Sequence, residues 1–217
     1  MDIRQFKAGV AIRGEWIQDD LVQFGGRGTG ITFLSPDPKA CIDRLPLGSP
    51  ALLADLYELG FEDILDYIER LGQRLHLSDN VYLQQALEAS CLTSAQTPPL
   101  LRKTYDSLPH IFNRRTASEM ADETIGIDYL EGWVPKTLSD GRRVSIRAFG
   151  ARALHIIAGN SPAIAAISIM RNALTRSDGI IKSPSNDPFT ALAIARTMID
   201  MDAKHPLTRH LSVAYWK

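Results

Sequence analysis

Cysteine is scarce in this chain of 217 residues: Cys41 and Cys91 are the only two. Two thiols cannot build a disulfide framework, so a reducing cytoplasm is the simpler setting. An excess of either charge is also missing, with 24 basic against 25 acidic side chains and a formal net charge of −1. That balance offers nothing to a nucleic-acid backbone or an anionic membrane, so neither partner is expected. Long apolar runs are absent too. The longest, Ala163 to Ile169, is interrupted by Ser168 and far too short to span a bilayer. Met1 to Gly9 carries Asp2, Arg4 and Lys7 and lacks the apolar segment of a signal peptide. The five histidines, at 76, 110, 155, 205 and 210, have no metal-ligand spacing. What remains is ordinary globular composition, 45% apolar and 23% charged, enough to bury a core as a soluble protein of one or two domains.

Glycine and proline punctuate the first 48 residues into short strands and turns. Gly25, Gly26, Gly28 and Gly30 crowd together, but no strand leads in and no helix follows. The cluster is therefore a turn, neither a dinucleotide fingerprint nor a phosphate loop. Helices follow. Ser49-Pro50 is an N-cap with proline at the first helical position, ahead of Leu52, Leu53, Leu56 and Leu59 on one face. Ile64, Leu65, Ile68, Leu71 and Leu75 recur at spacings of three and four, an amphipathic helix. A further helix is expected around Asn80 to Cys91 and a short one before Pro109, and Thr116 with Glu119 suggests a capping box. Near Gly132 the pattern changes to two short strands, Trp133 to Lys136 and Arg143 to Ile146, about the turn Ser139-Asp140-Gly141.

The last segment says most. Leu154 to Ala158 is a short apolar strand, and Gly159-Asn160-Ser161-Pro162 ends it and starts a helix running to about Arg176. That helix is apolar nearly all round in its first half and so buried. Ile180 to Lys182 is a second strand, Asp187-Pro188 caps a second helix, and Leu211 to Tyr215 is a third strand. The order β-α-β-α-β implies an α/β fold: a partial Rossmann-type unit with a parallel sheet, preceded by a helix-rich region with short strands. A boundary near residue 130 divides an N-terminal strand and helix region, 1–130, from the start of a nucleotide-binding domain, 131–217.

Ligands of such sheets bind beyond the carboxyl ends of the strands, where Asn160 and Lys182 fall. The Asn160 amide could donate to a developing oxyanion. An asparagine after glycine equally suits a turn that bonds its own backbone. Lys182 could meet a phosphate or a ribose hydroxyl, or stand at a strand end as a surface lysine. Ser183, Ser185 and Asn186, with the following helix start, make an anion site or a set of caps. Neither cysteine has the basic or helix-N-terminal setting that activates a thiol.

The stretch RAFGARALHIIAGNSPA, followed by NALTRSDGIIKSPSNDPFTALAIARTM, resembles the aldehyde dehydrogenase superfamily. Within it, AGNSP, IKSPSNDPFTA and HPLTRHLSVAYW resemble the LuxC-type acyl-CoA reductases, over roughly residues 145 to 217. The resemblance implies an aldehyde-dehydrogenase-like fold and the NADPH-dependent reduction of a fatty acyl thioester, on acyl-CoA or an acyl-protein, through a cysteine acyl-enzyme. It implies Asn160 as the oxyanion donor and Lys182 as the contact to the adenosine ribose, with Ser183 and Ser185 beside it. Ser185 stands where NAD-preferring relatives often carry an acidic residue, and a hydroxyl there would not repel the 2′-phosphate of NADPH (NADP). The family's nucleophile lies further along than Lys217. The chain is therefore expected to be inactive alone, as a fragment or as one half of a split protein, and to form a homo-oligomer or bind a complementary subunit. Another oxidoreductase of the superfamily, or a non-catalytic nucleotide-binding partner, would share these features.

Overall fold

A computed structural model describes residues 6–25 and 31–217. Gly26, Gly28 and Gly30 of the glycine cluster, and the first five residues of the N-terminal segment read against a signal peptide, lie outside the described residues.

The chain opens with strands β1 (Val10–Ile12), β2 (Glu15–Ile17), β3 (Leu21–Gly25) and β4 (Thr32–Pro36), so that, contrary to expectation, a strand does lead into the glycine cluster at Gly25. Arg13 and Gly14 join β1 to β2 with φ of 52° and 85°, the left-handed pair a tight hairpin turn demands. Seven helices follow: α1 (Pro38–Cys41), α2 (Ala54–Glu58), α3 (Phe61–Arg74), α4 (Val81–Thr93), α5 (Pro98–Ile111), α6 (Arg114–Thr124) and α7 (Ile127–Glu131). The hairpin β5 (Val134–Thr137) and β6 (Arg143–Ile146) leads to β7 (Arg152–Ile156), α8 (Pro162–Leu174), β8 (Asp178–Lys182), α9 (Thr190–Asp202), α10 (Pro206–Arg209) and β9 (Leu211–Ala214). Among the described residues no helix is long and apolar enough to cross a membrane.

The expected βαβαβ unit is present. β7 pairs with β8 and β8 with β9, both parallel, with Leu154 opposite Ile180 and Ile180 opposite Ser212. The sheet then continues beyond the unit in the order β2-β1-β9-β8-β7, with β1 antiparallel to β9. Periodicity could not show this pairing, because β1 is only three residues long and its partner stands at the other end of the chain. α8 and α9 pack on one face of the sheet, and α3, α4 and α5 pack against them in turn. Ile64, Leu65, Ile68, Leu71 and Leu75, the stripe read from spacing, are all buried in the main core.

Three local expectations are corrected. α5 does not stop before Pro109 but runs through it to Ile111. Proline in a last turn forfeits a single ladder bond, which the helix tolerates there. The cap of α6 is Asn113, whose Oδ1 accepts from the N–H groups of Arg115 and Thr116. Thr116 lies inside the helix, and Glu119 pairs with Arg115 instead. The helix predicted from Pro50 to Leu59 starts on its Ser49 cap as expected, but is a 3-10 turn, Pro50–Leu53, followed by the short α2.

Candidate functional site at the carboxyl ends of the parallel strands

The site is built where β7 and β8 end side by side, with Ile156 in register with Lys182. After β7 the chain turns through Gly159 and Asn160 to Ser161, whose Oγ accepts from the Ala163 N–H at 3.3 Å and caps α8. After β8 it turns through Ser183 to Asn186 into the start of α9. There Asp187 Oδ1 accepts from the Thr190 N–H at 3.1 Å and from Thr190 Oγ1 at 2.7 Å. Burial pushes the Asp187 carboxyl up from its ordinary range, while the Thr190 bonds pull the other way. Asp187 is thus a structural cap, as its place before a proline suggested.

The two turns are tied together. Asn186 Nδ2 donates to the Gly159 carbonyl at 2.7 Å, and Gln96 Nε2 donates to the Asn160 carbonyl at 2.5 Å. Asn160 itself is exposed. Lys182 is half-buried with its Nζ 5.5 Å from the centroid of the Tyr215 ring. That ring is fully buried, and its hydroxyl donates to Ser185 Oγ at 3.2 Å. Ser183 is fully buried. Its N–H donates to the Ala214 carbonyl at 2.9 Å, and its Oγ has no hydrogen-bond partner among the described residues. Asn160, Lys182 and Ser185 therefore share one end of the sheet with atoms within reach of solvent, whereas Ser183 faces inward.

This end can offer an amide, a cation and a hydroxyl to a polar, anionic molecule. Residues 182–186 contain no acidic side chain to oppose it. Sequence reasoning did not find Gln96 or Tyr215. Both reach the site through the fold, one from the loop between α4 and α5 and one from the end of β9, and no local pattern marks them. The thiols hold no nucleophile's setting. Burial raises the Cys41 thiol against the pull of Arg44, and burial with the nearby Glu88 raises that of Cys91.

Known proteins resemble the chain in sequence and in fold. Residues 56–217 match the family model described as acyl-CoA reductase (LuxC). A long-chain acyl-protein thioester reductase of Vibrio harveyi is 30% identical over 165 residues, covering 74% of this chain and 33% of that protein. The reductase of Aliivibrio fischeri is 47% identical over 94 residues, or 42% of this chain and 18% of that one. The chain thus spans about a third of the Vibrio relative's length. Among solved structures, an NADP-dependent glyceraldehyde-3-phosphate dehydrogenase of Bacillus halodurans C-125, complexed with NADP, aligns with a TM-score of 0.72 at 13% identity. That alignment covers 98% of this chain and 44% of that one. An aldehyde dehydrogenase of Brucella melitensis biovar abortus 2308 aligns with a TM-score of 0.68 at 14% identity, covering 97% and 42%. At such identities the likeness establishes the fold, which is that of the aldehyde dehydrogenases. With the family model matched from Leu56 to the last residue, the chain belongs to the acyl-CoA reductase (LuxC) family.

Proposed function

We propose that this chain forms the front part of a reductase that converts a fatty acyl thioester to an aldehyde with NADPH. One observation carries the reading. In a chain of this family, Asn160 and Lys182 stand at the carboxyl ends of two neighbouring parallel strands, where sheets of this kind bind ligands. The relatives are named for acyl-protein thioesters and the family for acyl-CoA, so either carrier suits the substrate. Asn160 donates its side-chain amide to the oxyanion that develops when the thioester carbonyl is attacked. The attacking thiolate is assigned to a residue beyond Lys217, since neither Cys41 nor Cys91 has an activating environment.

The residues present fit a nicotinamide dinucleotide. Lys182 is a half-buried cation at a strand end, and the Ser185 hydroxyl stands beside it without a carboxylate in the turn. When bound, that cofactor supplies the hydride. Lys182 holds its adenosine ribose, and Ser185 admits a 2′-phosphate. We keep Ser183 in the cofactor turn as a backbone element, its hydroxyl being buried. The division near residue 130 and a complementary or second subunit belong to this reading.

The test is cofactor titration of the complete reading frame. Lys182→Ala should weaken NADPH more than NADH, since a charge-assisted contact to phosphate is worth roughly 1.5–3 kcal/mol. Asn160→Ala should slow turnover and leave cofactor affinity nearly intact. Equal losses for the two cofactors in Lys182→Ala would remove the case for NADPH.

A further inference from the structure

We propose that Gln96 and Asn186 are positioning residues that aim the Asn160 side chain. The inference rests on the role proposed for Asn160 and adds the means by which its amide is directed. A side chain leaves its Cα in a direction set by the two planar peptide units on either side. Both units are held here by side-chain amides. The peptide before Asn160 carries the Gly159 carbonyl, which accepts from Asn186 Nδ2 at 2.7 Å. The peptide after it carries the Asn160 carbonyl, which accepts from Gln96 Nε2 at 2.5 Å. Each clamp is anchored in turn. Thr93 Oγ1, at the end of α4, shares its one proton between the Asn186 carbonyl at 3.1 Å and the Ala89 carbonyl at 3.2 Å, and the Gln96 N–H donates to Ser94 Oγ at 3.1 Å. The helical layer thus reaches across to the strand ends at two points.

Two features separate this from incidental contact. A Cβ on Gly159 would lie 1.7 Å from Asn186 Oδ1, so only glycine lets that amide close on the turn. Gln96 Oε1 is buried with no hydrogen-bond partner among the described residues. Leaving a buried amide oxygen unpaired costs free energy. The orientation that incurs the cost is the one that turns Nε2 toward the Asn160 carbonyl, which can only accept.

The test uses Gln96→Leu, Asn186→Ala and Asn160→Ala in two measurements. The first is 15N relaxation of the Asn160 backbone and side-chain amides in this chain. Order parameters should fall from about 0.85 toward 0.6 in both clamp variants, with β8 and α9 resonances unmoved. The second is thioester reduction by the complete reading frame. There kcat should fall roughly tenfold in the clamp variants while KM for the nicotinamide cofactor holds, since a misaimed group loses rate before it loses binding. If either clamp variant fails to fold, Gly159→Ala displaces the Asn186 amide without removing it and should loosen the same turn. Unchanged order parameters overturn the proposal. So does a loosened turn with normal kcat when Asn160→Ala is slow. A loosened turn with Asn160→Ala as active as the parent overturns the oxyanion role alone and leaves the clamp standing.

Discussion

At the scale of single residues, a buried carboxylate held by three side-chain hydrogen bonds stands at the opposite end of the sheet from the candidate site. Asp178 opens β8, is almost fully buried, and receives both arms of the Arg13 guanidinium at 2.5 and 3.0 Å. His210 Nδ1 lies 2.9 Å from the same carboxylate, and its Nε2 lies 2.8 Å from Asp55 Oδ1. Burial alone would push the Asp178 carboxyl up. The bonds from His210 and Arg13, with the charge of Arg13, outweigh burial and hold it below the ordinary 3.8. A depressed carboxyl stabilises fully above its unfolded value, and that stability is lost as pH falls through the folded one. Asp178→Asn should therefore cost roughly 3 kcal/mol at neutral pH. In urea titrations the gap from the parent should narrow below pH 3.8. A gap independent of pH would mean that the carboxylate's charge contributes nothing. None of this was legible in the sequence, where Arg13 and Asp178 lie 165 residues apart. Asn160 and Lys182 were legible because each ends an apolar run beside local breakers.

At the scale of elements, a chain of buried hydroxyls joins three helices. Tyr105 on α5 meets Ser90 on α4 at 2.9 Å and Thr190 at the start of α9 at 2.6 Å, and Thr190 Oγ1 donates to Asp187. Tyr105→Phe keeps the ring and removes the link, leaving the Ser90 hydroxyl buried without this partner. It should cost about 1–3 kcal/mol in chemical denaturation. Ile68→Ala, in the middle of α3 and 1% exposed, should cost about 2–5 kcal/mol by opening a cavity. A smaller loss would show that α5 and α6 close over the gap. α3 was the most readable element, because its apolar period leaves no other solution. Boundaries were less so. β7 begins at Arg152, two residues ahead of its apolar run, since main-chain pairing with Asp178 and Gly179 extends it past the residues that hydrophobicity marks.

At the scale of the whole molecule, the sheet is covered unevenly. α8 and α9 shield one face. On the other, Leu154 and Ile156 of the edge strand β7 are 55% and 74% exposed. Beside them Ile180, Trp216, Ile42 and Val22 line a cavity of about 540 Å³. Parallel sheets are stable when both faces are buried, so this apolar face favours association. Sedimentation of the chain should show concentration-dependent mass, reduced in Leu154→Lys with Ile156→Lys. A monomer at every concentration would count against that. The overall class was legible because βαβαβ alternation has few solutions. The join of β1 to β9 was not, being a contact between chain ends that no window of sequence spans.

That join has a consequence for how the protein is made. β1 is wholly buried and pairs with a strand that begins at Leu211. Translation proceeds at about 5–20 residues per second, so β1 leaves the ribosome roughly ten to forty seconds before its partner exists. Through that interval Val10, Ala11 and Ile12 lack β9 and are sheltered by the β2 hairpin and, once made, by Cys41 and Leu45. This part of the sheet closes only after the residues between Ile12 and Leu211 have been made. Any pause in elongation within α9 or α10 should therefore lengthen the time for which this strand depends on chaperones.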